Sequence, residues 1–329
     1  MTETLILSRR DVAALMSPAD WLEAVERGFR AGADGKAVLP LPLHIPAEGG
    51  GFHAKGALIV QGRDWAALKL NGNFPDNPRR GLPTVQGALI LADGADGRLL
   101  AMMDSIELTL RRTAAASALA ARLLARPDSR TLLICGCGEQ GRAHLQALAA
   151  VLPLERCFAW DADRGKADAF AREHEGHAGM AVEAVADLMK AAGQSDVIAT
   201  CTSARRPFLS ATHVRPGTFV AAVGADNPDK SELAPELLAA ATIVTDSTAQ
   251  CLAMGDLAHA VAAGAVVGVD VHAELGEIVT GRKSGRTGDN EIIVFDSTGT
   301  ALQDVAAADM VYERALDAPG IQRIDLGAA

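Results

Sequence analysis

The chain has 329 residues, more than one usual domain, so two domains and a large core are expected. It is 49% hydrophobic but only 4% aromatic, and its net charge of −10 opposes nucleic acid, because an acidic protein repels phosphate backbones globally. Any anionic ligand must then be held by a local basic cluster, and the composition fits an alanine- and leucine-rich soluble α/β enzyme.

The N-terminus carries no apolar core before a small-residue cleavage site, and no apolar run approaches a membrane-spanning length, so a cytoplasmic protein with no membrane partner is expected. Residues 8–31 place Val12, Leu15, Met16, Leu22, Val25 and Phe29 at a helical period, with Ser17-Pro18 restarting the helix. From 38 to 69 the text changes to prolines, glycines and short apolar runs, the mark of an antiparallel or mixed sheet. Turn chemistry fills 71–81. Two strands, 84–92 and 99–104, follow around the hairpin signal Asp93 to Gly97. An alanine-rich helix over 107–125 then leads to Pro127-Asp128.

Residues 131–145 read as a buried strand, a glycine turn and the first turn of a helix. Gly136, Gly138 and Gly141 supply the tight turn, the close approach to a pyrophosphate and the close helix-to-strand packing of a dinucleotide site. The glycine triplet alone is weak, but a second strand, 156–160, ends at Asp161, about twenty residues on, where a carboxylate accepts from ribose hydroxyls. Asp161 favours NAD over NADP, although Arg164 follows closely. Beyond it, helices over 164–174 and 185–192 alternate with strands near 180, 197–200, 219–223 and 242–246, implying parallel βαβ units. A strand at 292–295, a turn at Ser297 to Gly299 and a helix over 301–314 close the chain. The five cysteines, Cys135, Cys137, Cys157, Cys201 and Cys251, lack paired spacing and read as buried thiols of a reducing compartment.

Lys69 sits on a strand, where burial would lower its pKa; a solvent-facing lysine is the alternative. Arg112 interrupts an apolar helix and needs an anion, either a nearby Asp or Glu or a substrate carboxylate. Asp226 lies just past the carboxyl end of a parallel strand, the edge where open α/β sheets bind ligands, or it simply caps a turn. His174-Glu-Gly-His177 resembles a metal motif only in spacing, and no metal is expected.

Taken together, these stretches resemble the ornithine cyclodeaminase/μ-crystallin family. The resemblance rests on Lys69 with Asn71-Gly72, Gly81-Leu-Pro-Thr84, Gly87, Leu110-Arg-Arg112-Thr113-Ala-Ala, Gly136-Cys-Gly138-Glu-Gln-Gly141, Gly224-Ala-Asp226 with Lys230 and Glu232-Leu233, and residues 274–281. It implies an α/β homodimer whose subunits join a Rossmann NAD-binding domain, 113–310, to an α+β substrate and dimerisation domain, 1–112 plus 311–329. It also implies an amino- or imino-acid substrate. Lys69 and Arg112 would hold the substrate carboxylate and assist proton transfer, and Asp226 would serve the nitrogen. The cofactor residues implied are Thr84, Arg112, Gly136, Gly138, Glu139, Gln140, Gly141, Asp161, Thr200, Thr202, Val223, Gly224, Asp226 and Gly299.

Two departures matter. Where many members carry an arginine after a proline, this chain has Pro42-Leu-His44. Where ornithine cyclisers carry an acid upstream of the lysine, it has Phe52-His53-Ala-Lys55. His44, His53, Lys55, Lys69 and Arg112 are therefore expected to form a positive substrate pocket suited to a second carboxylate, as in NADH-dependent reduction of iminosuccinate to L-aspartate. Ornithine cyclodeamination, reduction of a cyclic imine, alanine dehydrogenation and a non-catalytic binding role are the alternatives.

Overall fold

The computed structural model describes residues 3–267 and 270–326. It divides into two compact units, the residues up to Thr113 with those from Thr300 onward, and Ala114–Gly299. The second crossing thus falls at 299/300, which corrects the expected return at 310/311. The reason is the helix Ala301–Ala315, which lies whole within the first unit, packed on its strands and on the helix Pro18–Ala33.

The first unit holds an eight-stranded mixed sheet in the order Gln322–Ile324, Thr4–Leu7, Leu99–Asp104, Val85–Asp93, Arg63–Asn73, Gly50–Gln61, Ala37–Val38, with Leu43–Ala47 also on Gly50–Gln61. Its centre is a long antiparallel hairpin running from Gly51↔Asn73 to Gln61↔Arg63, turned at Gly62 with φ +76°. Strand periodicity assigns the faces. Ala57, Ile59, Trp65, Ala67, Leu89, Leu91, Ala101 and Met103 are buried on one. The two helices cover that face, and they approach so closely that a Cβ on Gly28 would stand 2.9 Å from the Leu302 carbonyl oxygen. The expected helix restart is present: Ser17 caps Pro18–Ala33 in a capping box with Asp20.

The second unit carries an eight-stranded, wholly parallel sheet. Its order is Ala181–Ala184, Arg156–Trp160, Thr131–Cys135, Val197–Thr200, Phe219–Ala222, Ile293–Asp296, Thr242–Thr245, Val271–Glu274. The chain winds outward from Thr131–Cys135 on one side and resumes at Val197–Thr200 on the other. That reversal makes the carboxyl ends of these two strands a topological switch point of a doubly wound Rossmann-type fold. The fully apolar run Leu132 to Cys135 suits a central parallel strand, covered on both faces. The expected helix over 185–192 begins later, at Leu188, because Asp187 caps it by accepting from Lys190 N at 3.0 Å. Among the described residues no helix is long and apolar enough to cross a membrane.

Candidate functional site

At the switch point, three glycines do three different jobs. Gly136 has φ +100°, and a Cβ there would lie 2.7 Å from the Cys201 carbonyl oxygen. Gly141 lets the helix Glu139–Ala149 lie against the strand, since its Cβ would stand 2.1 Å from the Gly136 carbonyl oxygen. Gly138 differs: it is the helix N-cap, no side chain caps the orphan amides there, and nothing stands within 4 Å of where its Cβ would be. An open cradle facing uncapped helix amides fits a pyrophosphate. Glu139 and Gln140 open the helix; Glu139 is exposed near Arg142, whereas Gln140 has a buried side-chain oxygen with no hydrogen-bond partner. The helix is held from behind by His144, whose ring accepts from Ser117 Oγ at Nε2, because Nδ1 donates to the Gln140 carbonyl at 2.8 Å. Burial pushes this imidazole down to about 4, so it stays neutral.

Asp161 closes the loop from the neighbouring strand. Its Oδ2 accepts from Cys137 N and its Oδ1 from Asp163 N, both at 2.9 Å, so the carboxylate is fixed beside the glycine turn. Arg164 is engaged elsewhere, by Asp168 at 2.9 Å and the Ala184 carbonyl at 3.1 Å.

The next strand ends are tied by a residue the sequence reading did not assign to the site, Glu232. Its carboxyl accepts from Thr200 Oγ1, Thr202 N and Thr202 Oγ1 at 2.6 Å each, and from Gly224 N at 2.8 Å. Gly224 must be glycine, since a Cβ would stand 2.4 Å from that carboxyl. Val223 N donates to the Thr200 carbonyl at 3.0 Å, which completes the register. Burial, reinforced by the Asp256 carboxylate, pushes Glu232 up to about 7 against the pull of its donors. Glu232-Leu233 had entered only as part of the family resemblance, with no role attached to the carboxylate. Asp226 lies at the rim, exposed and paired with Lys230 Nζ at 2.7 Å. Gly299, with φ +77°, donates to Asp246 Oδ2 at 2.6 Å where the unit ends.

In the first unit the charged centre is a triad. Lys69 Nζ stands 2.6 Å from Asp304 Oδ2 and donates to Thr109 Oγ1 at 3.2 Å. Arg112 Nε meets Asp304 Oδ1 at 2.9 Å, and its Nη1 donates to Gln303 Oε1 at 2.7 Å. Lys69 and Arg112 are each 4% exposed and Asp304 1%. The solvent-facing alternative for Lys69 is therefore excluded, and the Asp or Glu expected as one option for Arg112 is Asp304. Burial drives Lys69 down to about 7, with Asp304 pulling it up and Arg112 and Lys55 pushing it further down. Asp304, by contrast, is held below the usual carboxylate range, because the two cations outweigh its burial.

Strand register decides which other basic residues share this face. Lys55 pairs with Lys69, His53 with Asn71 and His44 with His53, so all of these point to the triad's side of the sheet. The His44 and His53 rings lie 4.5 Å apart. Thr84 belongs to the same unit, where its carbonyl accepts from Phe74 N at 2.8 Å. The structure thus brings together His44, His53, Lys55, Lys69 and Arg112 in the first unit, and Gly136, Gly138, Gly141, Asp161, Thr200, Thr202 and Gly224 in the second. Asp226, expected as the third catalytic residue, falls in the second unit.

The sequence pattern of the ornithine cyclodeaminase/mu-crystallin family matches residues 2–318. An archaeal alanine dehydrogenase dimer with bound NAD is 38% identical, with 99% of this chain and 100% of that one covered and a TM-score of 0.94. The Δ1-pyrroline-2-carboxylate reductase of Thermococcus litoralis, solved with NADH and L-proline, is 33% identical over 98% and 100% of the two chains, also with a TM-score of 0.94. The iminosuccinate reductase of Paracoccus denitrificans, solved with NAD+, is 34% identical over 98% and 100%, with a TM-score of 0.90.

Proposed function

Because the chain belongs to the ornithine cyclodeaminase/mu-crystallin family, we propose that it reduces a dicarboxylic α-imino acid, iminosuccinate, to an L-amino acid, L-aspartate. It is an NAD-dependent oxidoreductase. When bound, the nicotinamide would supply hydride exchange with the substrate α-carbon. The protein's own residues supply grip, charge and a proton.

The observation that carries the choice of substrate is the basic face of the first unit. Lys69 and Arg112 share one carboxylate, Asp304, which leaves a positive charge over for a substrate carboxylate. Arg112 has further N–H donors with which to meet it. Lys55 adds like charge opposite Lys69, and His44 and His53 continue the face along the strands, where a second carboxylate would be met. Ornithine's distal ammonium would find cations there. Lys69, poised near neutrality, carries the proton that turns imine to amine, and Asp226 is assigned to the substrate nitrogen.

Purified protein given oxaloacetate, ammonia and NADH should consume NADH faster than with pyruvate and ammonia or with pyrroline-2-carboxylate. Turnover of the last two without the first would reject the dicarboxylate substrate. Ammonia release from ornithine with no net NADH change would point to the cyclodeaminase reaction instead. On the cofactor side, Asp161→Ala should raise the NAD dissociation constant about 10- to 100-fold, the usual cost of losing hydrogen bonds to a charged group, as read by NADH fluorescence.

We assign the sheet's opposite face to a second copy of the chain. Leu68, Leu70, Ile90, Met102, Val60 and Phe52 stand between 37% and 52% exposed on it, a contiguous apolar patch of the kind that marks a protein interface. Light scattering should report a dimer, and Leu68→Lys with Ile90→Lys should shift it to monomer.

A further inference from the structure

We propose that Asp304 is a positioning residue of this reaction, whose two carboxylate oxygens fix Lys69 and Arg112 in place and supply the anion that lets Lys69 carry a proton to the substrate. The proposal rests on the imine-reduction reading. Its geometry stands apart from that reading. Each oxygen takes one cation, Oδ2 the Lys69 ammonium at 2.6 Å and Oδ1 the Arg112 Nε at 2.9 Å, so one rigid group sets both side chains. Gln303, the preceding residue, holds the same guanidinium through Nη1, and Thr109 holds the ammonium from one side.

The fixing is needed because both cations are long side chains with costly rotamer freedom. The charge is needed because Lys69 is buried among cations. Arg112 faces it from the helix Ser105–Leu124 and Lys55 from the adjacent strand, while the strand on the other side places Leu89 opposite. Asp304, from the helix Ala301–Ala315, is the group that opposes their repulsion and the burial. In reduction, a hydride adds to the imine carbon, the C=N π pair becomes the nitrogen lone pair, and Lys69 gives a proton to that nitrogen. Lys69 leaves the step as a neutral amine, and NADH leaves as NAD+. Without the Asp304 charge the ammonium would lose its proton at lower pH, and the reductive rate would fall off earlier as pH rises.

The test compares pH profiles of imine reduction for the wild type, Asp304→Asn, Asp304→Glu and Asp309→Asn. Asp309 is a buried carboxylate of the same helix that pairs with Arg27 instead. The high-pH limb should move down by about one unit or more in Asp304→Asn and stay put in Asp309→Asn. Asp304→Glu keeps the charge but moves it by a methylene, so its limb should hold while kcat drops about 10- to 100-fold. An unmoved limb in Asp304→Asn overturns the proposal. If that variant does not fold, Asp304→Glu with wild-type kcat overturns it. Titration of the Lys69 side chain by 13C-lysine NMR, with Lys69→Met identifying its signal, reads the same shift without turnover. Wild-type protein inert toward every imine would sink the functional reading, whereas an unshifted NMR midpoint would sink only the role of Asp304.

Discussion

Lys69→Ala and Arg112→Ala should each lower kcat/KM for imine reduction by about 1000-fold or more, with NAD affinity in Lys69→Ala within about twofold of wild type. Lys69 offers both a carboxylate grip and a proton available near neutral pH; alanine offers neither. Arg112→Ala removes the planar fork that meets a carboxylate with two parallel hydrogen bonds, which a lysine would not restore. Both variants also break a buried ion pair, and leaving a charge uncompensated costs roughly 3–5 kcal/mol. Here the cost should be smaller, because Asp304 keeps one cation in each variant, Arg112 at 2.9 Å in Lys69→Ala and Lys69 at 2.6 Å in Arg112→Ala. The nucleotide cradle lies in the other unit and should retain NAD, as fluorescence titration would read. Wild-type turnover in either variant would remove its residue from the reaction.

The two glycines of the cradle should separate by experiment. Gly141→Ala puts a methyl 2.1 Å from a backbone carbonyl oxygen, so the helix start must shift away from the strand. Strain of about 1–3 kcal/mol should lower the melting temperature by several degrees. The displaced amides should also weaken NAD by about 100-fold or more, because charge-assisted bonds to phosphate depend on geometry. Gly138→Ala meets nothing within 4 Å and has φ −85°, a backbone that alanine adopts readily. Its melting temperature should match wild type while NAD binding falls, since its methyl occupies the phosphate's space. Equal melting temperatures for both variants would contradict the packing role of Gly141.

Much of this was legible because the signals are local. The glycine turn, Asp161 and the strands around them lie within one short stretch, and each residue type answers to the backbone beside it. The basic face was legible in composition, and register then placed His44, His53 and Lys55 beside Lys69. Asp304 was not legible. Its helix is separated from Lys69 and Arg112 by the entire second unit, and nothing within its own run says which buried cation it meets. Yet Gln303, Asp304 and Asp309 interrupt the apolar, alanine-rich stretch from Ala301 to Val311, the same argument that singled out Arg112. The strands Thr4–Leu7, Gln322–Ile324 and Val271–Glu274 were not expected from the sequence.

The detour through residues 114–299 also fixes a schedule. A ribosome delivers the cations at positions 69 and 112 first, then makes the complete nucleotide unit, and only after that emits the helix bearing Asp304. Until then a nascent chain carries two cations without the acid meant to neutralise them. A polypeptide that stalls or is clipped before residue 300 would therefore retain a finished cradle and an incomplete catalytic half.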